Sequence, residues 1–122
     1  MKRINLKTVL SITGKPMLAP KEGEEEPTEA NIADLLKILV FSLPPAKLTM
    51  QDSIEAHRLM KQIDAATDSI LELEEGTHDW AKKKVEEFAP QIYRVNAVML
   101  RDALDDFERA HEKAEKKPVK EE

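Results

Sequence analysis

The chain has 122 residues, which suits one domain, because a single hydrophobic core usually serves about 100–150 residues. It contains no cysteine, and this excludes disulfide bridges, thiolate zinc sites and thiol nucleophiles. Its net charge of −5 argues against a bulk electrostatic attraction for nucleic acid, which depends on clustered lysine and arginine.

Charged side chains make up 35% of the sequence and hydrophobic ones 41%, a composition typical of amphipathic helices with long solvated faces. The longest apolar run, at 35–43, is far shorter than the ~20 residues that cross a bilayer. Residues 4–12 show no uninterrupted apolar region followed by a small-residue cleavage site, so no secretion signal is expected. We therefore expect a cytoplasmic protein without a membrane segment.

The first predicted element is extended. Apolar side chains at positions 4, 6, 10 and 12 follow the period of a half-buried strand, and the Thr-Gly-Lys-Pro sequence at 13–16 predicts a turn. Met17 and Leu18 could then pair back on the first strand. Because a lone hairpin is marginal in water, residues 1–19 are predicted to be an extended segment or a hairpin that packs on helices.

An acidic loop is predicted at 20–27. Glutamates occupy positions 22, 24, 25, 26 and 29, whereas residues 1–19 carry four basic residues and no acid. A charge run of this kind is usually a solvated linker. Its functional interpretation is an electrostatic attachment site for a basic partner.

The first helix is predicted over 29–43, with Thr28 as its cap and Pro44-Pro45 as its end. Apolar residues cover most of its circumference: Ile32, Leu35, Leu36, Ile38, Leu39, Val40, Phe41 and Leu43. Such a helix either lies in the centre of the core or buries one face against a partner chain, a homodimer included. Both interpretations stay open at this point.

A second helix is predicted over 50–66, because the sequence at 49–52, Thr-Met-Gln-Asp, resembles a capping box. Its apolar stripe is that of an ordinary surface helix. Apolar and polar residues alternate only weakly over 69–74, and this pattern favours an extended connector over a helix.

Two further helices are predicted before a charged tail. Gly76-Thr77 indicates a helix start, and Pro90 ends or kinks that helix at Ala89 while beginning the next one. An apolar stripe from 91 to 111 predicts the longest helix, and 112–122 is predicted to be disordered. The expected fold is mainly α, with about four helices in a small bundle-like domain over 28–111.

No catalytic or metal-binding set of residues is recognisable. His57, His78 and His111 lie on separate segments and are expected at the surface. The pairs Glu75-x-x-His78 and Glu108-x-x-His111 share the spacing found in di-iron bundles. However, the first pair straddles a predicted helix start and the second lies where the apolar stripe fades. No catalytic, cofactor-binding or metal residue is therefore assigned, and the protein is not expected to be an enzyme.

Nucleic-acid binding is the weaker alternative. The single basic triplet, at 82–84, is followed at once by Glu86-Glu87. The chain has three glycines and lacks a phosphate-binding loop pattern. Only Gln91, Arg94 and Arg101 approach the polar face that a groove-reading helix needs. A regulatory protein that binds nucleic acid weakly remains the alternative to a protein-binding function.

The N-terminal segment with its Gly14-Lys15-Pro16 turn, the acidic loop and the helices beginning at Thr28 and Thr49 resemble small uncharacterised proteins of tailed bacteriophages and prophages. The resemblance covers residues 4–107. It implies a viral accessory protein, without known enzymatic activity, that serves in virion assembly or acts on host machinery. The leading prediction is a non-enzymatic protein–protein interaction module in the host cytoplasm, with a protein partner and no cofactor.

Overall fold

A computed structural model describes residues 1–21 and 23–109. The elements are β1 Lys2–Asn5, β2 Leu18–Ala19, β3 Thr28–Glu29, α1 Ile32–Phe41, α2 Met50–Asp64, β4 Ile70–Leu73, α3 Glu75–Tyr93, α4 Ala97–Asp105 and β5 Glu108–Arg109. Short 3-10 turns at Pro45–Lys47 and Arg94–Asn96 precede α2 and α4. The predicted mainly helical character is confirmed. No helix among the described residues combines the length and apolarity needed to cross a membrane.

The strands form two small antiparallel sheets. β1 lies between β4 and β5, and the acidic loop connects β2 to β3. The predicted turn at 13–16 is present, since the Ser11 amide donates to the Lys15 carbonyl oxygen at 2.7 Å. The predicted strand over 4–12 is divided: β1 ends at Asn5 and pairs with β4 and β5, far along the chain. The residues after it pair locally, as predicted, through a bridge between Leu10 and Pro16 and a hydrogen bond from the Met17 amide to the Val9 carbonyl oxygen at 2.9 Å.

α1 begins at an Asn31 cap, so the predicted start at Thr28 is wrong. The Asn31 side chain accepts the Asp34 amide at 3.0 Å, and the Asp34 carboxylate accepts the Asn31 amide at 3.0 Å. This reciprocal box satisfies two amides at the helix end. Thr28 lies in β3 opposite Ala19 instead.

The capping box predicted before α2 is confirmed, with an aspartate in the position usually held by glutamate. Thr49 Oγ1 accepts the Asp52 amide at 3.1 Å, and Asp52 Oδ2 accepts the Thr49 amide at 3.1 Å. The extended connector is also confirmed as β4. It is reached through a tight turn in which Asp68 and Ser69 both adopt positive φ, +54° and +61°.

The predicted helix boundary at Pro90 is wrong. α3 continues through Pro90 to Tyr93 and breaks at Arg94, which has a φ of +55°. Helix beyond the proline is favoured because Ala89 is buried and the Tyr93 hydroxyl donates to the Leu35 carbonyl oxygen at 2.9 Å. Burial also raises the pKa of Tyr93 to about 12.

The single helix predicted over 91–111 is also wrong, because α4 ends at Asp105. Pairing with β1 draws the following residues into a strand, with Glu108 opposite Arg3. Phe107 packs edge-on against the ring of His78 instead of extending a helical stripe. His111 and the charged tail at 112–122 lie outside the described residues.

α1 lies at the centre of the core. Leu35 and Leu36 are 0% exposed. α3 and α4 pack around this helix, and the inner face of the β4-β1-β5 sheet contributes Ile4, Leu71 and Leu73 to the same core. The central-core interpretation therefore accounts for one face of α1. Its opposite face ends in the exposed Phe41.

Candidate interaction surface

A buried polar cluster surrounds His78. His78 is 1% exposed, so the expectation of a surface histidine is wrong for this residue. Its Nε2 lies 2.7 Å from the Leu104 carbonyl oxygen and must donate, because a carbonyl can only accept. Its Nδ1 therefore accepts from the Lys2 ammonium at 3.1 Å. The ring of Phe107 covers both groups, 5.0 Å from the imidazole centroid and 4.7 Å from Lys2 Nζ.

Charges at the edge of this His78 cluster neutralise the buried lysine. Lys2 Nζ lies 3.6 Å from a Glu75 oxygen and 3.5 Å from an Asp79 oxygen. Burial lowers the pKa of His78 below its usual value of 6.5, partly opposed by the hydrogen bond to Leu104 and reinforced by the positive charge of Lys2. The imidazole is therefore neutral and fully hydrogen-bonded, and it joins β1 to α3 and α4.

The Glu75-x-x-His78 pair is engaged in contacts within the protein and is not open to a metal ion. Glu75 and His78 share the first turn of α3, but both ring nitrogens of His78 already have protein partners. Glu108 lies on β5, and His111 lies outside the described residues. Within 1–21 and 23–109, no three carboxylate or histidine side chains are grouped closely enough to hold a metal ion.

Two lysines of the basic triplet at 82–84 form ion pairs with aspartates of the same chain. Lys84 lies 3.4 Å from Asp52, and Lys82 lies 3.1 Å from Asp105. Asp52 also accepts a hydrogen bond from the Trp80 indole at 3.0 Å. That hydrogen bond is the largest of the causes that lower the pKa of Asp52 to about 2. The triplet therefore joins helices and does not form a basic stripe.

An apolar groove beside α1 is the strongest candidate for a functional site. It has a cavity volume of about 550 Å³ and is lined by Pro20, Lys21, Asp34, Lys37, Ile38, Phe41 and Ser42. We call it the Phe41 groove. The α1 positions 34, 37, 38 and 41 are three or four residues apart and share one helix face. That face is opposite the one that buries Leu36 and Leu39 in the core.

Phe41 is 78% exposed, more than any other large hydrophobic side chain in the described part of the chain. It is the last residue of α1, and Pro44-Pro45 turns the chain away before a further helical turn could cover it. Aromatic side chains are seldom left in water, because each can bury a large apolar area. Its exposure identifies this end of α1 as available for contact.

Charged side chains without partners border the groove. The Glu24 amide donates to the Lys21 carbonyl oxygen at 3.1 Å, and this turn needs the positive φ of Gly23, +84°. The Glu24 backbone therefore lies beside Lys21, which lines the groove, and Glu25 and Glu26 follow it in the loop. Within the described residues, none of the three forms an ion pair, and neither does Lys37 in the groove or Lys47 just beyond α1.

A second exposed apolar area differs in its charges. Ile12 and Val95 are exposed, and the Ile12 amide donates to Asn96 Oδ1 at 3.0 Å, which joins the N-terminal turn to the 3-10 turn before α4. Two nearby acids already have partners: Asp102 on α4 pairs with Arg101, and Asp106, just after α4, pairs with Lys7. The exposed Arg94 beside Val95 forms no ion pair within residues 1–21 and 23–109, so the unpaired charge next to this area is positive.

Comparison with protein-family models, with curated proteins and with solved structures found no match to this chain. Its function is therefore inferred from its own residues. The helical spacing of α1 is the sequence feature that indicates the Phe41 groove, because positions 34, 37, 38 and 41 fall on one face of the helix. No comparable local pattern indicates the His78 cluster, because Lys2 and His78 are 76 positions apart.

Proposed function

We propose that this protein is a non-enzymatic interaction module that binds another protein chain through the Phe41 groove. The observation that supports this most strongly is an aromatic side chain that is 78% exposed at the edge of an apolar groove. Aromatic residues are enriched in the cores of protein interfaces, where a few anchors supply most of the binding energy. The unpaired charges around the groove provide the polar rim of such an interface.

Exposed apolar side chains continue beyond the groove. A specific interface buries about 800 Å² on each partner, roughly a tenth of the 7881 Å² accessible surface described here. Further exposed apolar side chains follow α1 in sequence, Leu48 before α2 and Met50 at its first position. Phe41 would be the central anchor and the Glu24–26 loop part of the rim.

The finer parts of the proposal come from sequence resemblance. An origin in a phage or prophage, a place in virion assembly or an action on host machinery, and a cytoplasmic location all remain predictions. The groove supports the broader statement only, which is binding to a protein chain.

Photocrosslinking in the cell that encodes the protein tests this function. With p-benzoylphenylalanine in place of Ser42, which lines the groove, we expect a defined adduct with a protein chain. The adduct should be lost when Phe41→Ser is added, and the same crosslinker in place of Val95 should not give it. Absence of an adduct from position 42, or an adduct unaffected by Phe41→Ser, would show that the groove is not a protein-binding surface.

A further inference from the structure

We propose that the occupant of the Phe41 groove is a second copy of this chain, related by a twofold axis. This inference rests on the proposed function and specifies its partner. A twofold interface uses the same patch on both copies, so the patch must contain both halves of every contact. The Phe41 groove meets this requirement in its charges and in its shape.

The unpaired charges around the groove are of both signs. Glu24, Glu25 and Glu26 lie on the loop side, whereas Lys37 and Lys47 lie along α1 and the turn that follows it. A strongly basic partner would meet the two lysines, and a strongly acidic partner would meet the three glutamates, with repulsion in each case. A second copy rotated by 180° instead places its lysines against the glutamates of the first.

The shape of the patch is also self-complementary. Phe41, Pro20 and Ile38 all line the groove, and we call the apolar lining supplied by Pro20 and Ile38 the recess. In a twofold arrangement, each Phe41 enters the recess of the other copy. One aromatic side chain buries about 150–250 Å², and two of them form the centre of the interface.

The charges inside the groove do not oppose this burial. Lys21 Nζ already lies 3.5 Å from Asp34 Oδ2 and donates to the Glu29 carbonyl oxygen at 2.6 Å. Asp34 also accepts the Asn31 amide in the α1 cap. Covering the groove therefore buries one ion pair that is already hydrogen-bonded. Lys37, the other charge that lines the groove, would meet a loop glutamate of the second copy, and this pairing offsets its desolvation cost.

The first test is the oligomeric state of the full chain, measured by sedimentation velocity from about 1 µM to about 1 mM, a range that brackets the affinities of transient interfaces. We expect a reversible monomer–dimer equilibrium within it. Phe41→Ser should weaken the dimer at least about tenfold, as expected for a central aromatic anchor. Val95→Ser is the matched control, because it removes another exposed apolar side chain and should leave the equilibrium unchanged.

The second test separates charge pairing from apolar adhesion. A chain with Lys37→Glu and Lys47→Glu has only acids at these five unpaired positions, and a chain with Glu24→Lys, Glu25→Lys and Glu26→Lys has only bases there. Each variant should be monomeric by itself, because like charges face one another across the twofold axis. Mixing the two should restore a dimer that contains one copy of each, and added salt should weaken it.

A wild-type chain that remains monomeric up to about 1 mM, where even weak association is detectable, would overturn this inference. So would a dimer that Phe41→Ser leaves intact, since its interface would lie elsewhere. Failure of the charge variants to pair on mixing would equally contradict the twofold arrangement. A monomer that still gives the Phe41-dependent adduct with a different protein in cells would leave the proposed function standing and exclude the second copy alone.

Discussion

The His78 cluster and the Phe41 groove reverse the usual placement of polar and apolar side chains. A lysine and a histidine lie inside the protein with every polar group partnered. A phenylalanine lies outside, beside charges that have no ion-pair partner among residues 1–21 and 23–109. Buried polar groups that are fully satisfied act as internal connections and specify one arrangement of the chain. Exposed apolar groups bordered by unpaired charge are available to another molecule. Whether the side chains already have partners within the protein, more than their residue type, distinguishes a structural cluster from a binding surface.

The largest expected effect on stability comes from breaking the His78 cluster. His78→Ala leaves the buried Lys2 ammonium without its nearest acceptor and the Leu104 carbonyl without a donor. We expect a loss of about 2–4 kcal/mol in the free energy of unfolding, measured by urea denaturation. His57→Ala, on the exposed face of α2, should change it by less than about 0.5 kcal/mol. Equal effects of the two substitutions would show that the cluster does not stabilise the fold.

Asp52 joins α2 to α3 and should have a smaller effect. Asp52→Ala removes one half of the capping box and the acceptor of the Trp80 indole. The expected loss is about 1–2 kcal/mol in the free energy of unfolding. Asp102→Ala is the control, because that exposed carboxylate contacts only the neighbouring Arg101. A loss below about 0.5 kcal/mol for Asp52→Ala would mean that this connection between helices is unimportant.

The His78 cluster also predicts a pH dependence of stability. The folded pKa of His78 is lowered, and its usual value is 6.5. Between the lowered pKa of the folded state and the usual pKa of 6.5, the unfolded chain binds more protons than the folded chain. The free energy of unfolding therefore decreases as pH falls below about 6.5. His78→Gln should remove this part of the dependence, whereas His57→Gln should retain it. Denaturation curves between about pH 5 and 8 would measure the difference, and a wild-type slope matching that of His78→Gln would contradict the account.

The smallest expected effect on stability belongs to Phe41. Because its ring is 78% exposed, Phe41→Ser should change the unfolding free energy of the monomer by less than about 0.5 kcal/mol. Measurements at low protein concentration keep association from contributing. A loss of several kcal/mol would place Phe41 in the core and remove the contrast with His78.

Local signals predicted part of this fold. The Thr49–Asp52 box, the extended segment before α3 and the apolar face of α1 depend on residues within one or two helical turns of each other. Pairings between distant residues were not predictable in this way. The partners of β1, the strand at Glu108–Arg109 and the burial of His78 all require the N-terminus to meet segments more than 60 residues away.

Competing local signals account for the remaining errors. Thr28 and Asn31 can both cap a helix, and the reciprocal bonds with Asp34 decide for Asn31. Pro90 predicts a break, but burial of Ala89 and the hydrogen bond of Tyr93 favour continued helix. For the candidate site, helical periodicity defined the face that carries Phe41. The contribution of Pro20 to the groove could not be predicted in this way, because Pro20 lies outside α1 in the sequence.

Backbone amide chemical shifts, followed by NMR as the full chain is diluted, test the central claim most directly. If the Phe41 groove binds a second copy, the concentration-dependent shifts should be confined to the loop at 24–26, the groove-lining residues and Lys47. The groove-lining amides are those of Lys21, Asp34, Lys37, Ile38, Phe41 and Ser42. Amides at Val95 and His78 should stay unchanged. Shifts concentrated around Val95, or none at any concentration, would contradict self-association through the groove.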